Sequence, residues 1–176
     1  MRLNTPSDEE IMAQVAQGEL DLLKLLFDRH HKHIFNFLLQ MCGDRMLSED
    51  LTQEVFYKVM RYRESYNHGK FVSWLFAIAR NTLKTHFSKS RTTDRDFNTV
   101  ANQWSEKADS EREDYSDLQR ALGQLDDSDR EVLVLNRLQE VRYEELALIL
   151  NSTPGAVKTK VCRALKKLKH IYVQQL

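Results

Sequence analysis

Glycine and proline are scarce in this chain, five and two among 176 residues. So few backbone breakers exclude a collagen-like or low-complexity protein. Only two cysteines occur, Cys42 and Cys162, far apart on apolar-rich stretches. Two buried free thiols in a reducing cytoplasm are the expectation, and a disulfide between them is a poor second. No apolar stretch approaches the roughly 18 residues that a membrane-spanning helix needs, and the start, Met-Arg-Leu-Asn-Thr-Pro-Ser-Asp-Glu-Glu, is not a signal peptide. A cytoplasmic protein without membrane insertion is therefore expected. Runs of β-branched residues are few, while Leu, Lys, Glu and Gln abound, which points to an all-α chain. No glycine-rich phosphate loop and no nucleophile–base pair is visible. Enzymatic chemistry and a bound cofactor are accordingly not expected.

An excess of charge is also missing. Lys and Arg number 26, as do Asp and Glu. The distribution is uneven, however. Residues 1–90 hold 12 basic and 11 acidic side chains, residues 91–130 hold 6 and 11, and residues 131–176 hold 8 and 4. The polar, acidic middle has little helical periodicity and reads as a tether. The expected organisation is two small helical domains, 1–90 and 116–176, joined by a flexible linker over 91–115.

The most informative stretch is 143–170. Leu146, Ile149 and Leu150 give a first helix its apolar face, and Asn151 can end it because Asn tolerates the left-handed conformation. Thr153 can cap a second helix whose first residue is Pro154. Val157, Val161, Ala164, Leu165 and Leu168 then recur at helical spacing. Between Thr153 and Lys169 stand six cations (Lys158, Lys160, Arg163, Lys166, Lys167, Lys169) and no acid. A solvated basic helix would share some of these features. The tight turn and the absence of acids favour a helix-turn-helix with its second helix in the DNA major groove.

In the N-terminal part, Leu23, Phe27, Ile34, Leu38 and Met41 step by 4, 7, 4 and 3, marking a long amphipathic helix that Gly43-Asp44 ends. Ser48 is the expected N-cap of the next helix, with Thr52 a weaker candidate. There Leu51, Val55, Phe56 and Val59 share one arc, and Asp50, Gln53, Glu54, Tyr57, Lys58 and Arg61 the other. Residues 66–70 form a loop by composition. The helix after it buries Phe71, Trp74, Leu75, Phe76, Ile78 and Leu83, leaving a narrow strip of Ser73, Ala77, Arg80, Asn81 and Lys84. Aromatics beside a basic strip can serve single-stranded nucleic acid, although most of these aromatics suit a core. Tyr66, Asn67 and His68 in the loop are better placed to touch bases.

These residues resemble a known family. Ser48-Glu-Asp-Leu-Thr-Gln-Glu-Val-Phe is similar to the acidic helix of bacterial extracytoplasmic-function sigma factors, in the sigma-70 superfamily. Phe71-Val-Ser-Trp-Leu-Phe-Ala-Ile-Ala-Arg-Asn resembles their Phe-x-x-Trp-Leu-x-x-Ile-Ala-Arg-Asn signature, and Leu125-Asp-Asp-Ser-Asp-Arg-Glu-Val-Leu-Val-Leu with the helix-turn-helix resembles their C-terminal domain. The resemblance implies an alternative sigma factor that binds RNA polymerase core enzyme and directs promoter-specific initiation. It assigns Asp50, Gln53 and Glu54 to the clamp coiled coil of the polymerase. Asn67, His68, Lys70, Arg80, Asn81 and Lys84 would bind and melt the minus-ten element of promoter DNA. Thr153, Lys158, Thr159, Lys160 and Arg163 would serve the minus-thirty-five element. The linker would thread the RNA exit path, and an anti-sigma factor is the further partner implied. The chain departs from the family where a Gly is usual near Glu140, a Ser or Thr near Arg142, and often a Gly at Asn151.

Two other readings stand beside this one. A helix-turn-helix regulator acting without core polymerase would leave the N-terminal module unexplained. A metal-binding helical enzyme could draw on Asp28, His30, His31 and His33, but His30 and His33 have no obvious third ligand, and no metal site is expected.

Overall fold

The computed structural model describes residues 5–93 and 113–175. Among them there is no strand, as the composition implies. Most of the tether expected over 91–115 lies outside the described residues; its two ends are helical, because the flanking helices reach Thr93 and begin at Glu113.

Four helices make the first half. α1 (Asp8–Ala16) starts on a reciprocal cap: the Ser7 hydroxyl accepts from the Glu10 N–H and the Glu10 carboxylate accepts from the Ser7 N–H. α2 (Leu23–Cys42) ends at Gly43, whose φ of 70° is the left-handed conformation glycine adopts without penalty. α3 (Arg45–Arg61) begins four residues earlier than Ser48 would place it. Asp44 is its N-cap, accepting from the Leu47 N–H at 3.0 Å, because a carboxylate at that position meets an unpaired donor directly. Ser48 is buried inside the helix, and its hydroxyl donates back to the Asp44 carbonyl at 2.6 Å. Thr52 does the same to the Ser48 carbonyl. α4 (Phe71–Thr93) closes this half, with Phe71, Leu75, Phe76 and Leu83 in the core.

The second half holds α5 (Glu113–Gly123), α6 (Asp127–Leu133), a π-helical turn (Val134–Leu138), α7 (Tyr143–Ile149) and α8 (Pro154–Gln175). α7 and α8 are the helix-turn-helix. Asn151 takes φ 51°, and the Thr153 hydroxyl accepts from the Ala156 N–H at 3.2 Å. Glu140, at the position where the resemblance leads one to expect glycine, is held at φ 57°. α7 has no capping side chain at Arg142, which cannot accept a hydrogen bond; the Glu145 carboxylate instead takes the Arg142 N–H at 3.3 Å. Cys162 is exposed, contrary to the expectation of two buried thiols, because it follows Val161 onto the outer face of α8; Cys42 is buried, and both are free.

The two halves share one continuous apolar core. α4 packs against α7, and α2 against the π-helical turn. Polar contacts cross the same seam. Arg80 Nε on α4 lies 2.6 Å from Glu131 Oε1 on α6, and His33 Nδ1 lies 3.1 Å from Gln139 Oε1. The buried Arg130 guanidinium donates to the carbonyls of Leu122 (2.9 Å), Gly123 (2.9 Å) and Leu125 (3.0 Å), and across the seam to Met41 (3.3 Å). Leu122, Gly123 and Met41 belong to the last turns of α5 and α2, where carbonyls lack partners within the helix. One side chain thus caps two helices.

Replacing Arg130 with Lys keeps a charge but loses the planar fork that reaches these acceptors. We expect Arg130→Lys to cost about 2 kcal/mol or more, since each buried carbonyl left unpaired costs about 1–3 kcal/mol. Denaturant titration of the variant checks this; a midpoint equal to that of the parent would show that the carbonyls find other donors.

Candidate polymerase and DNA surfaces

The outer arc of α3 carries Asp50, Gln53 and Glu54, all exposed. Glu54 pairs with Lys58 at 2.8 Å, one turn on, and Lys58 also donates to the Thr82 hydroxyl on α4 at 3.1 Å. The pairing draws Lys58 inward and leaves the arc acidic. Two large apolar side chains frame it: Met46 at 77% exposure and Tyr57 at 54%. Met46 escaped the sequence reading, although its spacing of four from Asp50 puts it on the same face. An acidic arc framed by exposed apolar groups repels a phosphate backbone and can bury area against protein.

The second surface surrounds the 67–70 loop. Asn67, His68 and Lys70 are exposed, and His68 adopts φ 62°. Tyr66, expected to face bases, is 5% exposed. Its ring packs at 5.3 Å from Trp74 and 6.3 Å from Phe71, and its hydroxyl donates to the Gly69 carbonyl. Burial, then the nearby Glu9 and Asp8 carboxylates, push its phenol above the usual value of 10.0, so the hydroxyl remains a donor. Tyr66 is the floor of this loop. Of the strip along α4, Asn81 and Lys84 are exposed, Ser73 is buried, and Arg80 is mostly covered and engaged with Glu131. Sequence periodicity put all of them on one strip because it could not see α6 and α7 arriving against α4.

α8 carries the third surface. Lys158 and Arg163 are exposed, as is Thr159, whose hydroxyl donates to the Gly155 carbonyl at 3.0 Å. Thr153 is exposed but commits its oxygen to the helix start. Lys160 is half-buried and donates to Ser128 at the start of α6. Lys167 pairs with Asp129 and lies 3.6 Å from Asp126. Two of the six cations thus tie α8 to the start of α6, and Lys158, Arg163, Lys166 and Lys169 all face outward.

The histidines of α2 do not converge. His30 Nε2 lies 2.6 Å from Asp8 Oδ2, His31 Nδ1 lies 2.8 Å from the Phe27 carbonyl oxygen, and His33 meets Gln139. Among the described residues no group of three ligating side chains could hold a metal ion, and no helix is long and apolar enough to cross a membrane.

Asp126 is the N-cap of α6, accepting from the Asp129 N–H at 2.9 Å. That bond, aided by Lys167, holds its carboxyl below the ordinary 3.8. Because the folded value is depressed, the stabilisation is present above the unfolded value and disappears as pH falls through the folded one. We expect Asp126→Ala to cost about 1 kcal/mol at neutral pH, and Asp126→Asn, still a good cap, much less. In thermal melts the parent should lose its advantage over Asp126→Asn as pH drops below about 4; a gap unchanged at pH 2 would refute the assignment.

Comparison with known proteins identifies the family. Residues 26–93 match the sigma-70 region 2 family, and residues 115–168 match sigma-70 region 4. The RNA polymerase sigma factor CarQ of Myxococcus xanthus is 30% identical over 166 residues, covering 91% of this chain and 94% of that protein. The ECF RNA polymerase sigma factor SigM of Bacillus subtilis is 29% identical over 151 residues, covering 84% and 93%. Two solved structures share the fold. CnrH in complex with the cytosolic domain of CnrY gives a TM-score of 0.75 at 21% identity, over 96% of this chain and 99% of that one. The sigma factor RpoE of Bartonella quintana in complex with the anti-sigma factor NepR gives 0.72 at 24% identity, over 84% and 94%.

Proposed function

We propose, for a chain that belongs to the extracytoplasmic-function group of the sigma-70 family, a division of labour among the three surfaces. The chain is an alternative sigma factor: it binds RNA polymerase core enzyme and directs promoter-specific transcription initiation. The domain limits we propose are 1–90 for region 2, 91–115 for the linker and 116–176 for region 4.

The acidic arc of Asp50, Gln53 and Glu54, with Met46 and Tyr57 beside it, docks on the clamp coiled coil of the polymerase. The 67–70 loop with Asn81 and Lys84 takes the minus-ten strand. Separating a duplex costs roughly 1–2 kcal/mol of stacking per step, and exposed Asn67 and His68 can offset part of it by gripping an extruded base. Arg80 joins this strip only when Glu131 lets it go, so full engagement calls for the halves to part along the α4–α6 seam. The outward cations of α8, Lys158 among them, supply phosphate affinity by counterion release, while Thr159 and Arg163 in its N-terminal half reach base edges. Lys160 acts through its hold on Ser128 as well as through charge.

The observation that carries this reading is the exposed basic helix of a helix-turn-helix in the same chain as an acidic, apolar-framed helix. One surface suits DNA and the other suits protein. A regulator working without core polymerase gives the second surface no role. The protein acts by binding and not by catalysis, and its place is the cytoplasm with its polymerase. Since the structural relatives were solved with CnrY and NepR, an anti-sigma factor covering the polymerase-binding surfaces is the further partner we propose. Run-off transcription with bacterial core polymerase on fragmented genomic DNA from the source organism tests the whole scheme and yields the promoter sequence; no transcript above core enzyme alone would overturn it.

Two variants separate the surfaces. Asp50→Lys with Glu54→Lys should weaken core-enzyme binding at least about tenfold while changing stability by under about 0.5 kcal/mol, as exposed helix substitutions do. Unchanged affinity in a fluorescence titration would remove the arc from the interface. Lys158→Ala in the full chain should lower the salt dependence of promoter binding by about one unit of log–log slope, whereas Arg163→Ala should also relax sequence preference. If neither variant alters binding at any salt concentration, α8 is not the recognition helix.

A further inference from the structure

The start of α4 has no cap of its own. Lys70 supplies the carbonyl that accepts the first helical bond, from Trp74 N–H at 3.2 Å. Its side chain, however, is a donor only, and Gly69 before it has none. The Phe71 N–H is met from elsewhere in the chain: Glu9 Oε1 on α1 accepts it at 3.1 Å. A carboxylate there both satisfies an orphan donor and faces the positive end of the helix dipole.

α1 is itself held firmly enough to act as an anchor. Asp8 Oδ1 lies 2.8 Å from Arg29 Nη1, which also donates to the Pro6 carbonyl at 3.0 Å. Asp8 Oδ2 meets His30, whose ring leans on that of Phe71 at 5.4 Å. Ile11, Met12 and Val15 lie in the core. The loop is therefore gripped at both ends. Tyr66 ties down Gly69 from the entry side, and Glu9 fixes Phe71 at the exit. Between them His68 sits at φ 62°, a conformation that persists in a non-glycine residue only when its surroundings over-determine it.

We infer that Glu9 is a positioning residue for strand capture: through Phe71 it sets the pose of Asn67, His68 and Lys70, so that α1, remote in sequence from any promoter contact, governs promoter opening. This rests on the reading of the 67–70 loop as the strand-capturing element. Glu9 touches no DNA in this scheme. Its carboxylate holds the loop in the shape that binds an unstacked base, so less ordering remains to be done when the base arrives.

The experiment uses the full chain assembled with core polymerase, at a temperature where circular dichroism shows every variant folded. Glu9→Ala removes the acceptor, and Glu9→Gln keeps an oxygen at the same reach. Amide exchange at Phe71 should quicken in Glu9→Ala and stay near the parent rate in Glu9→Gln. Open complexes, read by permanganate at unpaired thymines, should fall about five- to tenfold in Glu9→Ala, the factor a lost helix cap corresponds to. Glu9→Gln should restore most of the loss. Core-enzyme affinity and closed-promoter binding should not change in either. In a chain already carrying Asn67→Ala and His68→Ala, Glu9→Ala should cause no further loss, because its effect passes through those side chains. Wild-type opening by Glu9→Ala, where the loop variant opens poorly, overturns the role of Glu9 and leaves the loop reading standing. Wild-type opening by the loop variant itself overturns the loop reading and the proposal with it. A loss by Glu9→Ala that adds fully to that of the loop variant shows that Glu9 acts by another route, and also overturns the proposal.

Discussion

The arrangement of this molecule depends on where the Arg130 guanidinium is buried. It lies at the seam between the two halves, donating to the carbonyl ends of α5 and α2. Burial pushes its pKa below the ordinary guanidinium value, with Asp127 and Asp126 working against that. A buried cation of this kind adds little net stability over a well-packed apolar side chain, because desolvation offsets much of what the hydrogen bonds return. What it does is specify position. Five donors in a rigid fork are satisfied only if both helix ends arrive at fixed places. The shared apolar core would tolerate some sliding between the halves. The guanidinium and the Arg80–Glu131 pair beside it do not.

From that seam the functional surfaces follow by exclusion. α4 turns one flank toward α7, so Arg80 is engaged and Asn81 and Lys84 are left outward. α8 leans on α6 through Lys160 and Lys167, and its remaining cations face away. α3 presents its acidic arc on the outside of the first half. Acidic and basic faces are thus kept on separate elements, as the proposed binding of a protein by one and a nucleic acid by the other requires. A zero net charge conceals this, since the sum carries no information about which helix holds which sign.

In the proposed division of labour the Arg80–Glu131 pair also links function to conformation. Its carboxylate is mostly buried, with the side chain 11% exposed against 22% for Arg80. Arg80 on α4 is neutralised by the half of the molecule that carries the helix-turn-helix. Parting the halves would expose both charges to water, where hydration replaces much of the lost attraction. The separation is therefore less costly than the short contact suggests, and a highly charged partner such as a promoter can supply the difference.

Sequence alone determined the helical class, the helix-turn-helix and the faces of α2, α3 and α8, because these rest on local periodicity and turn chemistry: Asn151 at positive φ and Thr153 as a cap follow from near neighbours. The same logic located the acidic arc at Asp50, Gln53 and Glu54. It missed wherever a distant element intervened. Ser48 looked like a cap until Asp44 took the role. Tyr66 looked like a base contact until Phe71 and Trp74 closed over it. Arg80 read as part of an open strip, and nothing near it in the sequence announces Glu131, 51 residues away. The cap of α4 comes from Glu9, 62 residues upstream, so no window of helical length contains both partners. Periodicity tells which face of a helix is apolar. Which polar groups on the other face are left for a partner is decided only when the remaining helices have packed and taken the hydrogen bonds they need.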